Sequence, residues 1–365
     1  MGERRKGAPI LDNRKYIGMD VHQASISVAV RESTGSLVME SILETKAATI
    51  LDFIRGLTGS LHVTFEEGTS AAWLYELLQP HVTQAVVCDP RKNALLKVGN
   101  KNDRVDARKL SDLLRTGMVS PVYHGECGVR TLRELARSYL ALSKDLTRVM
   151  NRLKGLYRSW AIPCTGRRVY SRRGRSAWLE KLQSAGVRRR AEQLYQQLDS
   201  LVEIRSQARR ELLRESQKHP ANQLLRGIPR LGPIRVALLI ALLQTPHRFR
   251  TKRQLWAYSG LALETRISGE YRFHAGQLQS GKRLPAIRGL NENHNPDLKY
   301  VFKSAATPAG ARKDAWSDFY DDLLGRGMKP ALARLTLARK MAAVVLKIWK
   351  KGERFDPQQL KQQCA

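Results

Sequence analysis

Short apolar runs alternate with amphipathic segments over the first third of the chain. The apolar runs are rich in β-branched residues, which pack well on a pleated sheet, so they predict five strands. These runs cover residues 16–22, 26–30, 37–43, 61–66 and 85–88. Three other segments, at 47–57, at 71–78 and from Ala107 onward, have apolar residues at three- and four-residue steps and predict helices. The pattern indicates an α/β domain, with a mixed sheet and flanking helices.

Long helical patterns replace this alternation in the middle of the chain. From residue 129 to 160, apolar residues recur at three- and four-residue steps, and Arg or Lys occupies many positions between them. A second such pattern covers residues 177–216, with an interruption expected at Gly186. Two helices of this kind predict an antiparallel coiled coil used for self-association. A helical spacer with solvated charges is the alternative.

The C-terminal third is also mostly helical in pattern, so the predicted fold class is α/β plus all-α. The expected organisation has five parts: a flexible basic leader, the α/β domain, a helical coiled-coil region for oligomerisation, a mostly helical C-terminal domain and a tail. In that order they cover residues 1–14, 15–125, 126–220, 221–352 and 353–365.

Charge narrows the range of partners. The chain has 64 Lys and Arg against 33 Asp and Glu, a formal net charge of +31 over 365 residues. An excess of this size indicates a polyanionic partner, and nucleic acid is the leading candidate. The sequence has no apolar run long enough to span a membrane and no apolar signal-peptide region, so we expect a cytoplasmic protein without a membrane partner. Its four cysteines lie far apart, which predicts reduced thiols.

Four acidic residues occupy informative places in the predicted α/β domain. Asp20 lies on the first strand, Glu66 ends the fourth, and Asp103 and Asp106 lie three residues apart on a later helix. The element order β-β-β-α-β-α-β-α is that of the RNase H fold, where carboxylates bind divalent cations for phosphoryl displacement. Strand alternation leaves Glu67 as an alternative to Glu66. Taken singly, the acids have a simpler explanation as turn formers or as helix-start residues exposed to solvent.

Three motifs carry a resemblance to a known family. They are Tyr16-Ile17-Gly18-Met19-Asp20, Phe65-Glu66-Glu67-Gly68-Thr69 and Lys101-Asn102-Asp103-Arg104-Val105-Asp106-Ala107-Arg108. Together they resemble the DEDD catalytic set of transposases of the bacterial insertion-sequence one-ten family, whose N-terminal domain is RuvC-like with an RNase H fold. The resemblance implies that Asp20, Glu66, Asp103 and Asp106 are the catalytic ligands of Mg²⁺. The second motif departs from the commoner Glu-[Ala/Ser]-Thr-Gly form, so Glu67 remains the alternative ligand.

The resemblance continues in the C-terminal third. The segment from Gly260-Leu261 to Ser268-Gly269 is similar to the second conserved domain of that family, and the matching position implies that Ser268 is a catalytic nucleophile. Leu263 stands where the family has proline, and Gln279-Ser280-Gly281-Lys282 follows the next motif only loosely, which makes Ser280 the reserve candidate.

The implied activity is that of a transposase or site-specific recombinase of a bacterial insertion sequence. In this family the serine forms a covalent phosphoserine link with DNA, and strands are then exchanged and rejoined. The implied partners are double-stranded donor and target DNA, a structured bridge RNA that serves as guide, and further copies of the chain in a dimer or tetramer.

Three groups of residues are predicted to contact nucleic acid. The first surrounds the acidic helix, the second fills an arginine-rich loop, and the third is a pair of glycines in a segment that resembles a helix-hairpin-helix element. For the third group, an ordinary corner between two helices is the alternative. In order, the groups are Lys101, Arg104, Arg108 and Lys109; then Arg167, Arg168, Arg172, Arg173 and Arg175; then Gly227 and Gly232.

Two other functions remain open from the sequence. One is a RuvC-type nuclease or junction resolvase that uses the four acids and water, without a serine. The other is a nucleic-acid-binding scaffold without enzymatic activity, in which the acids are ordinary surface residues.

Overall fold

The computed structural model describes residues 13–93, 102–125, 129–266, 271–274, 277–280, 286–310 and 313–361. The chain forms two compact units, Met1–Cys127 and Gly128–Ala365. No helix in the described ranges is both long and apolar enough to cross a membrane.

The first unit is built on a five-stranded mixed sheet with strand order β3-β2-β1-β4-β5. The first three strands pair antiparallel, whereas β1, β4 and β5 run parallel to one another. This confirms the predicted mixed sheet with flanking helices. The strands are β1 (Arg14–Val21), β2 (Ser25–Glu32), β3 (Leu37–Glu44), β4 (Ser60–Glu66) and β5 (Gln84–Cys88), and the helices are α1 (Ala47–Arg55), α2 (Ala71–Leu78), α3 (Pro90–Asn93) and α4 (Asp103–Arg115).

The two faces of this sheet are covered by different helices. Ile17 and Met19 of β1 are completely buried in a cluster with Phe65 of β4, Ile50 of α1 and Leu74 of α2. Side chains alternate along a strand, so the residues between them point to the opposite face. That opposite face is covered by α4. The buried residues of this helix are Ala107, Leu110, Ser111 and Leu114.

Two long helices open the second unit and pack against each other in opposite directions. They are α5 (Arg130–Ser159) and α7 (Ala185–Gln217), separated by the short α6 (Arg175–Glu180). Tyr157 and Tyr195 meet at one end, with their hydroxyl oxygens 3.2 Å apart. Arg205 reaches back to Tyr139 at the other. The expected interruption at Gly186 was misplaced: the break falls at residues 181–184, and Gly186 lies inside the first turn of α7.

The remaining helices share one core with the ends of α5 and α7. Leu132 of α5 and Leu212 of α7 are buried in the same cluster as the apolar faces of the C-terminal helices. Four short strands, which the sequence pattern did not predict, lie between these helices. In chain order the elements are α8 (Ala221–Arg226), α9 (Pro233–Leu243), α10 (Lys252–Tyr258), β6 (Leu263–Arg266), β7 (Tyr271–His274), β8 (Gln277–Ser280), β9 (Ala286–Leu290), α11 (Pro296–Ala306), α12 (Ala315–Gly325), α13 (Pro330–Lys351) and α14 (Gln358–Lys361).

Candidate functional site

Asp20 and Glu66 are brought side by side by the register of two parallel strands. Met19 of β1 lies opposite Phe65 of β4, so the next residue on each strand is Asp20 and Glu66. Residues opposite each other on neighbouring strands share a face of the sheet. Since Met19 and Phe65 belong to the core on one face, the two carboxylates lie on the other, which is the face covered by α4.

Gly18 fixes the distance between that face and α4. A Cβ atom at Gly18 would lie 2.2 Å from the carbonyl oxygen of Ala107 and 2.4 Å from the amide nitrogen of Ser111. Any side chain larger than hydrogen would therefore push the helix backbone away from β1. The close approach brings the first turn of α4, with Asp103 and Asp106, near the strand.

The direction of α4 places its acidic first turn at the Asp20 end of the strand. Ser111, two turns into the helix, accepts a hydrogen bond from Nε of Arg31 at 3.2 Å. Arg31 lies opposite Tyr16 near the start of β1, so the helix runs back along the strand. Its N-terminus therefore lies toward the carboxyl end of β1, where Asp20 and Glu66 are found. Asn102 caps this end by accepting a hydrogen bond from the backbone N–H of Arg104.

A histidine joins two of the acids. Nε2 of His22 lies 3.3 Å from Oδ2 of Asp20 and 3.5 Å from Oδ2 of Asp103. One ligand atom from each of the three residues lies within 4.8 Å of the others, a spacing that fits a single cation. Two carboxylates suit hard divalent cations, and an imidazole nitrogen adds a ligand favoured by transition metals.

His22 was not among the metal ligands predicted from the sequence. The available signal was its position two residues after Asp20, because residues two apart along an extended chain project to the same side. A single histidine just after one strand nevertheless predicts no metal site without a ligand from another element. That ligand, Asp103, comes from α4, and only the close packing of α4 on β1 brings the two together.

Glu67 is held away from this group by a different partner. Its carboxylate Oε2 lies 2.5 Å from Nε2 of His124, and the ring of His124 packs against Tyr75. The backbone N–H of Glu67 also donates to the carbonyl of Cys88 at the end of β5. The structure therefore gathers Asp20, Glu66 and the first turn of α4 on one face and directs Glu67 to other neighbours.

The basic residues around the acidic helix differ in how they are engaged. Arg108 makes a two-point contact with Glu40 of β3, with both nitrogen–oxygen distances at 2.5 Å. The hydrogen bonds from Arg108 lower the pKa of the Glu40 carboxyl. Arg104 is exposed and Lys109 is half-buried. Lys101 lies outside the described residues. Of the three described members of this group, Arg104 is thus the one most open to a phosphate.

The arginine-rich loop contains one structural arginine. Arg175 contacts both carboxylate oxygens of Asp199, at 2.7 and 2.9 Å, and its guanidinium lies 4.4 Å from the centre of the Tyr195 ring. The hydrogen bond from Arg175 lowers the pKa of Asp199, although burial opposes this shift. Nε of Arg172 lies 3.4 Å from Asp199 as well, but 74% of its side chain remains exposed. The other three predicted contacts, Arg167, Arg168 and Arg173, are exposed.

The two predicted glycines flank the turn between α8 and α9. Gly227 ends α8 and Gly232 precedes α9, and neither has a positive φ. The left-handed position in this turn is Arg230, at φ 67°. Its guanidinium donates to Asp314 at 2.6 and 2.8 Å and to Ser317 at 2.7 Å, which ties the turn to the start of α12. A Cβ atom at Gly232 would meet no described atom within 4 Å, so the start of α9 is open to a ligand.

The candidate nucleophile Ser268 lies outside the described residues. The strand that leads into its segment, β6, pairs antiparallel with β9. The reserve candidate, Ser280, ends β8, and its backbone lies opposite Tyr271 of β7. Both serines thus remain predictions from the sequence.

Comparison with protein families gives two matches along the chain. Residues 17–159 match a transposase model of the DEDD, IS110 type, and residues 222–321 match the model described as "Transposase IS116/IS110/IS902 family". Together the two matches cover about two thirds of the chain. They include the four acids in the first range, and Ser268, Gly227 and Gly232 in the second.

One curated relative is similar over part of its length. It is the "Transposase for insertion sequence element IS1533" of Leptospira borgpetersenii, which is 28% identical over 153 residues. The similar region makes up 39% of this chain and 43% of the relative, so the chain matches less than half of that protein's length.

Proposed function

Because this chain belongs to the IS110 family of transposases, we propose that it cuts and rejoins DNA to move an insertion sequence. The observation that carries the proposal is the gathering of acidic side chains at one end of the sheet. Asp20 and Glu66 end adjacent parallel strands, and Asp103 and Asp106 occupy the first turn of the helix that packs on them. Such a set of oxygen ligands suits phosphoryl transfer assisted by divalent cations.

In this proposal, two of the acids hold one cation together with His22. The carboxylates of Asp20 and Asp103, with Nε2 of His22, are spaced to hold one cation, and Glu66 and Asp106 lie at the same end of the sheet. Mg²⁺ bound there would neutralise charge on the scissile phosphate and polarise it. Glu67 takes no part, because its carboxylate is paired with His124.

The bond-making step is assigned to Ser268, with Ser280 as the alternative. The serine Oγ forms a bond to phosphorus and gives up its proton, while the bond between phosphorus and the departing DNA oxygen breaks. That oxygen takes up a proton and leaves as a hydroxyl, so one phosphodiester is exchanged for another. Attack by the hydroxyl of a second DNA end reverses the step, releases the serine and joins the strands.

The partners follow from the charge and from the family. A net charge of +31 supports binding to several nucleic-acid segments at once, namely donor DNA, target DNA and a bridge RNA that selects them. The exposed arginines Arg167, Arg168 and Arg173 supply part of this charge. Cutting two DNA segments in one event also requires more than one acidic site, so we propose that the protein acts as a dimer or tetramer.

A strand-cleavage assay tests the acidic site. DNA carrying both ends of the insertion sequence, labelled at the strand termini, is incubated with the protein, Mg²⁺ and RNA transcribed from the flanking non-coding segment. We expect Asp20→Asn and Asp106→Asn to abolish cleavage, because each removes one charged ligand, while duplex binding and the melting temperature stay close to wild type. The matched control is Glu67→Gln, which should leave cleavage intact.

The outcome that contradicts this site is cleavage at wild-type rates in both aspartate variants. Loss of folding in both would also count against the assignment, because these carboxylates are placed at the surface end of the sheet and not in its core. If Glu67→Gln abolished cleavage and Glu66→Gln did not, the ligand assignment on β4 would be reversed.

The proposed attack of the serine on phosphorus is tested by trapping the covalent product of protein and DNA. If Ser268 attacks phosphorus, denaturing electrophoresis should show labelled DNA linked to the wild-type protein, and mass spectrometry should locate the link at Ser268. Ser268→Ala should abolish the link, whereas Ser280→Ala should keep it. Full cleavage by Ser268→Ala without any linked species would instead establish a nuclease that uses water.

A further inference from the structure

A cleft in the second unit has features that the transposase chemistry does not use. It lies between α5, the start of α9 and α11, and has a volume of about 620 Å³. This is within the usual range for sites that hold a small organic ligand. A double helix is far too wide to enter a space of this size, but one nucleotide of an unpaired strand fits.

The lining of the cleft is positively charged. It includes Arg167, Arg205 and Arg235, and the described lining residues contain neither Asp nor Glu. Arg205 donates from Nε to the hydroxyl of Ser143 at 3.0 Å and from a terminal nitrogen to the hydroxyl of Tyr139 at 3.2 Å. These hydroxyls hold the guanidinium in place without neutralising it. A fixed cation of this kind is suited to an anionic group.

A neighbouring groove on the other side of α5 provides the contrast. It is also rich in Arg and Lys, but three of its four lining cations pair with acids of the protein itself. Lys144 lies 2.9 Å from Asp297, and Arg148 lies 2.8 Å from Asp145. In this groove, acids of the protein already pair with most of the Arg and Lys side chains. The cleft that contains Arg205 is therefore the better candidate for binding an external anion.

Aromatic side chains lie beside these cations. Tyr300 of α11 lines the cleft although 68% of the residue is exposed to solvent. Tyr170 lines it from the arginine-rich loop, where its hydroxyl donates to the carbonyl of Met150. An exposed aromatic ring next to fixed cations is the arrangement on which proteins stack the bases of single strands.

The start of α9 completes the lining. Gly232 and Pro233 line the cleft, and α9 begins there without a side-chain cap among the described residues. Arg235, in the first turn, donates from Nε to the hydroxyl of Ser304 and from its two terminal nitrogens to the carbonyls of Arg230 and Ser304, each at 3.1 Å, so the protein holds its guanidinium in place. The first amides of a helix favour an anion, and since Pro233 has no N–H, the amides of Ile234 and Arg235 are the ones that this helix start offers.

We propose that this cleft binds a nucleotide of single-stranded nucleic acid, with the base against Tyr300 and the phosphate near Arg205 and the start of α9. The proposal rests on the proposed function, since it presumes a protein that handles nucleic acid, and it deepens that function by giving an unpaired strand a place of its own. Unpaired strands arise when DNA is cut and exchanged, and in the loops of a folded RNA.

Fluorescence anisotropy with the full-length protein tests this inference. The probes are labelled twelve-nucleotide oligothymidylate, oligouridylate of the same length, and a twelve-base-pair DNA duplex. Tyr300→Ala and Arg205→Gln should weaken binding to at least one single strand by about tenfold, because a stacked base and a fixed cation are lost. Duplex binding should change by about twofold at most, because phosphate contacts elsewhere supply it.

Two matched variants serve as controls. Tyr300→Trp keeps an aromatic ring and should retain single-strand binding. Arg209→Gln removes an exposed charge one turn along α7 from Arg205 and should affect single strands no more than duplex. The comparison of the two oligonucleotides identifies the strand: a larger effect with oligouridylate indicates the RNA, and a larger effect with oligothymidylate indicates DNA.

The proposal is overturned if Tyr300→Ala and Arg205→Gln bind both single strands as tightly as wild type does, or if they weaken duplex binding to the same degree. Either result would leave the cleavage assay with the aspartate variants unaffected. Conversely, cleavage that survives Asp20→Asn would remove the proposed active site without changing the oligonucleotide result. A wild-type protein that bound neither single strands nor duplex would contradict both proposals.

Discussion

Gly18 is the residue on which the geometry of the acidic site depends most. Replacement by alanine would put a Cβ atom 2.2 Å from the backbone oxygen of Ala107, and backbone atoms of a helix do not yield as a flexible side chain does. We expect Gly18→Ala to lower the free energy of unfolding by about 1–3 kcal/mol and to move the first turn of α4 away from Asp20. Urea denaturation measures the first effect and DNA cleavage the second.

The matched control for this change is Gly56→Ala, in the same unit. A Cβ atom at Gly56 would meet its nearest neighbours at 3.5 Å, an ordinary contact, and its φ is −72°. This variant should keep both stability and cleavage. Equal stability of Gly18→Ala and wild type would show that α4 does not pack on β1 as closely as described.

Asp199 links the pH dependence of stability to the arginine-rich loop. The hydrogen bond from Arg175 holds its folded-state pKa below the ordinary value of 3.8, against the opposing effect of burial. A lowered pKa stabilises the folded state above the unfolded-state pKa, and this contribution is lost as the pH falls through the folded-state pKa. Asp199→Asn should therefore cost about 2 kcal/mol at neutral pH and progressively less in acid.

Urea denaturation at a series of pH values, followed by circular dichroism, checks this expectation. A difference between variant and wild type that stayed constant with pH would rule out a charged Asp199 as its source.

Individual site residues differed in how far the sequence could place them. The positions of Asp20 and Glu66 on their strands were predictable, because strand alternation and strand ends are local properties of the chain. The separation of Glu66 from Glu67 was not, since it depends on the register with β1 and on His124 from another segment. For the same reason the sequence could not show that Arg108 and Arg175 are engaged by Glu40 and Asp199.

At the level of single elements, the first turn of α4 is held by its cap. The side chain of Asn102 accepts a hydrogen bond from the N–H of Arg104, and Asp103 and Asp106 follow in the same turn. Asn102→Ala should lower the free energy of unfolding by about 1 kcal/mol and reduce cleavage, because the turn that carries both carboxylates is loosened. Asn102→Ser keeps a capping oxygen and should restore both properties. Cleavage reduced equally in the two variants would indicate a role for Asn102 other than capping.

Elements were predicted best where their pattern is long. The periodicity of α5 extends over eight turns, and its observed range of Arg130–Ser159 agrees closely with the predicted one. The strands β6 to β9 were missed because each has only four or five residues and none contains a continuous apolar run such as Ala85-Val86-Val87-Cys88 of the equally short β5. Gly186 did not break α7 because it lies in the first turn, where amides have no helical partner in any case.

At the scale of the whole molecule, the charge of +31 predicts a strong dependence of nucleic-acid binding on salt. If the protein neutralises six or more phosphates of a duplex, the affinity should fall by about a thousandfold between 50 and 200 mM salt. Fluorescence anisotropy with a labelled duplex measures this directly. An affinity that hardly changed over this range would mean that the charge is not used for phosphate contacts.

Manganese binding tests most directly whether the acids at the end of the sheet form one metal site. Mn²⁺ can replace Mg²⁺ at oxygen ligands, and the signal of the free ion in electron paramagnetic resonance reports the bound fraction without any DNA. We expect wild-type protein and Glu67→Gln to bind Mn²⁺ alike, whereas Asp20→Asn and Asp103→Asn should lose affinity by more than about tenfold. Equal binding of Mn²⁺ by Asp20→Asn and wild type would contradict a metal site formed by these acids.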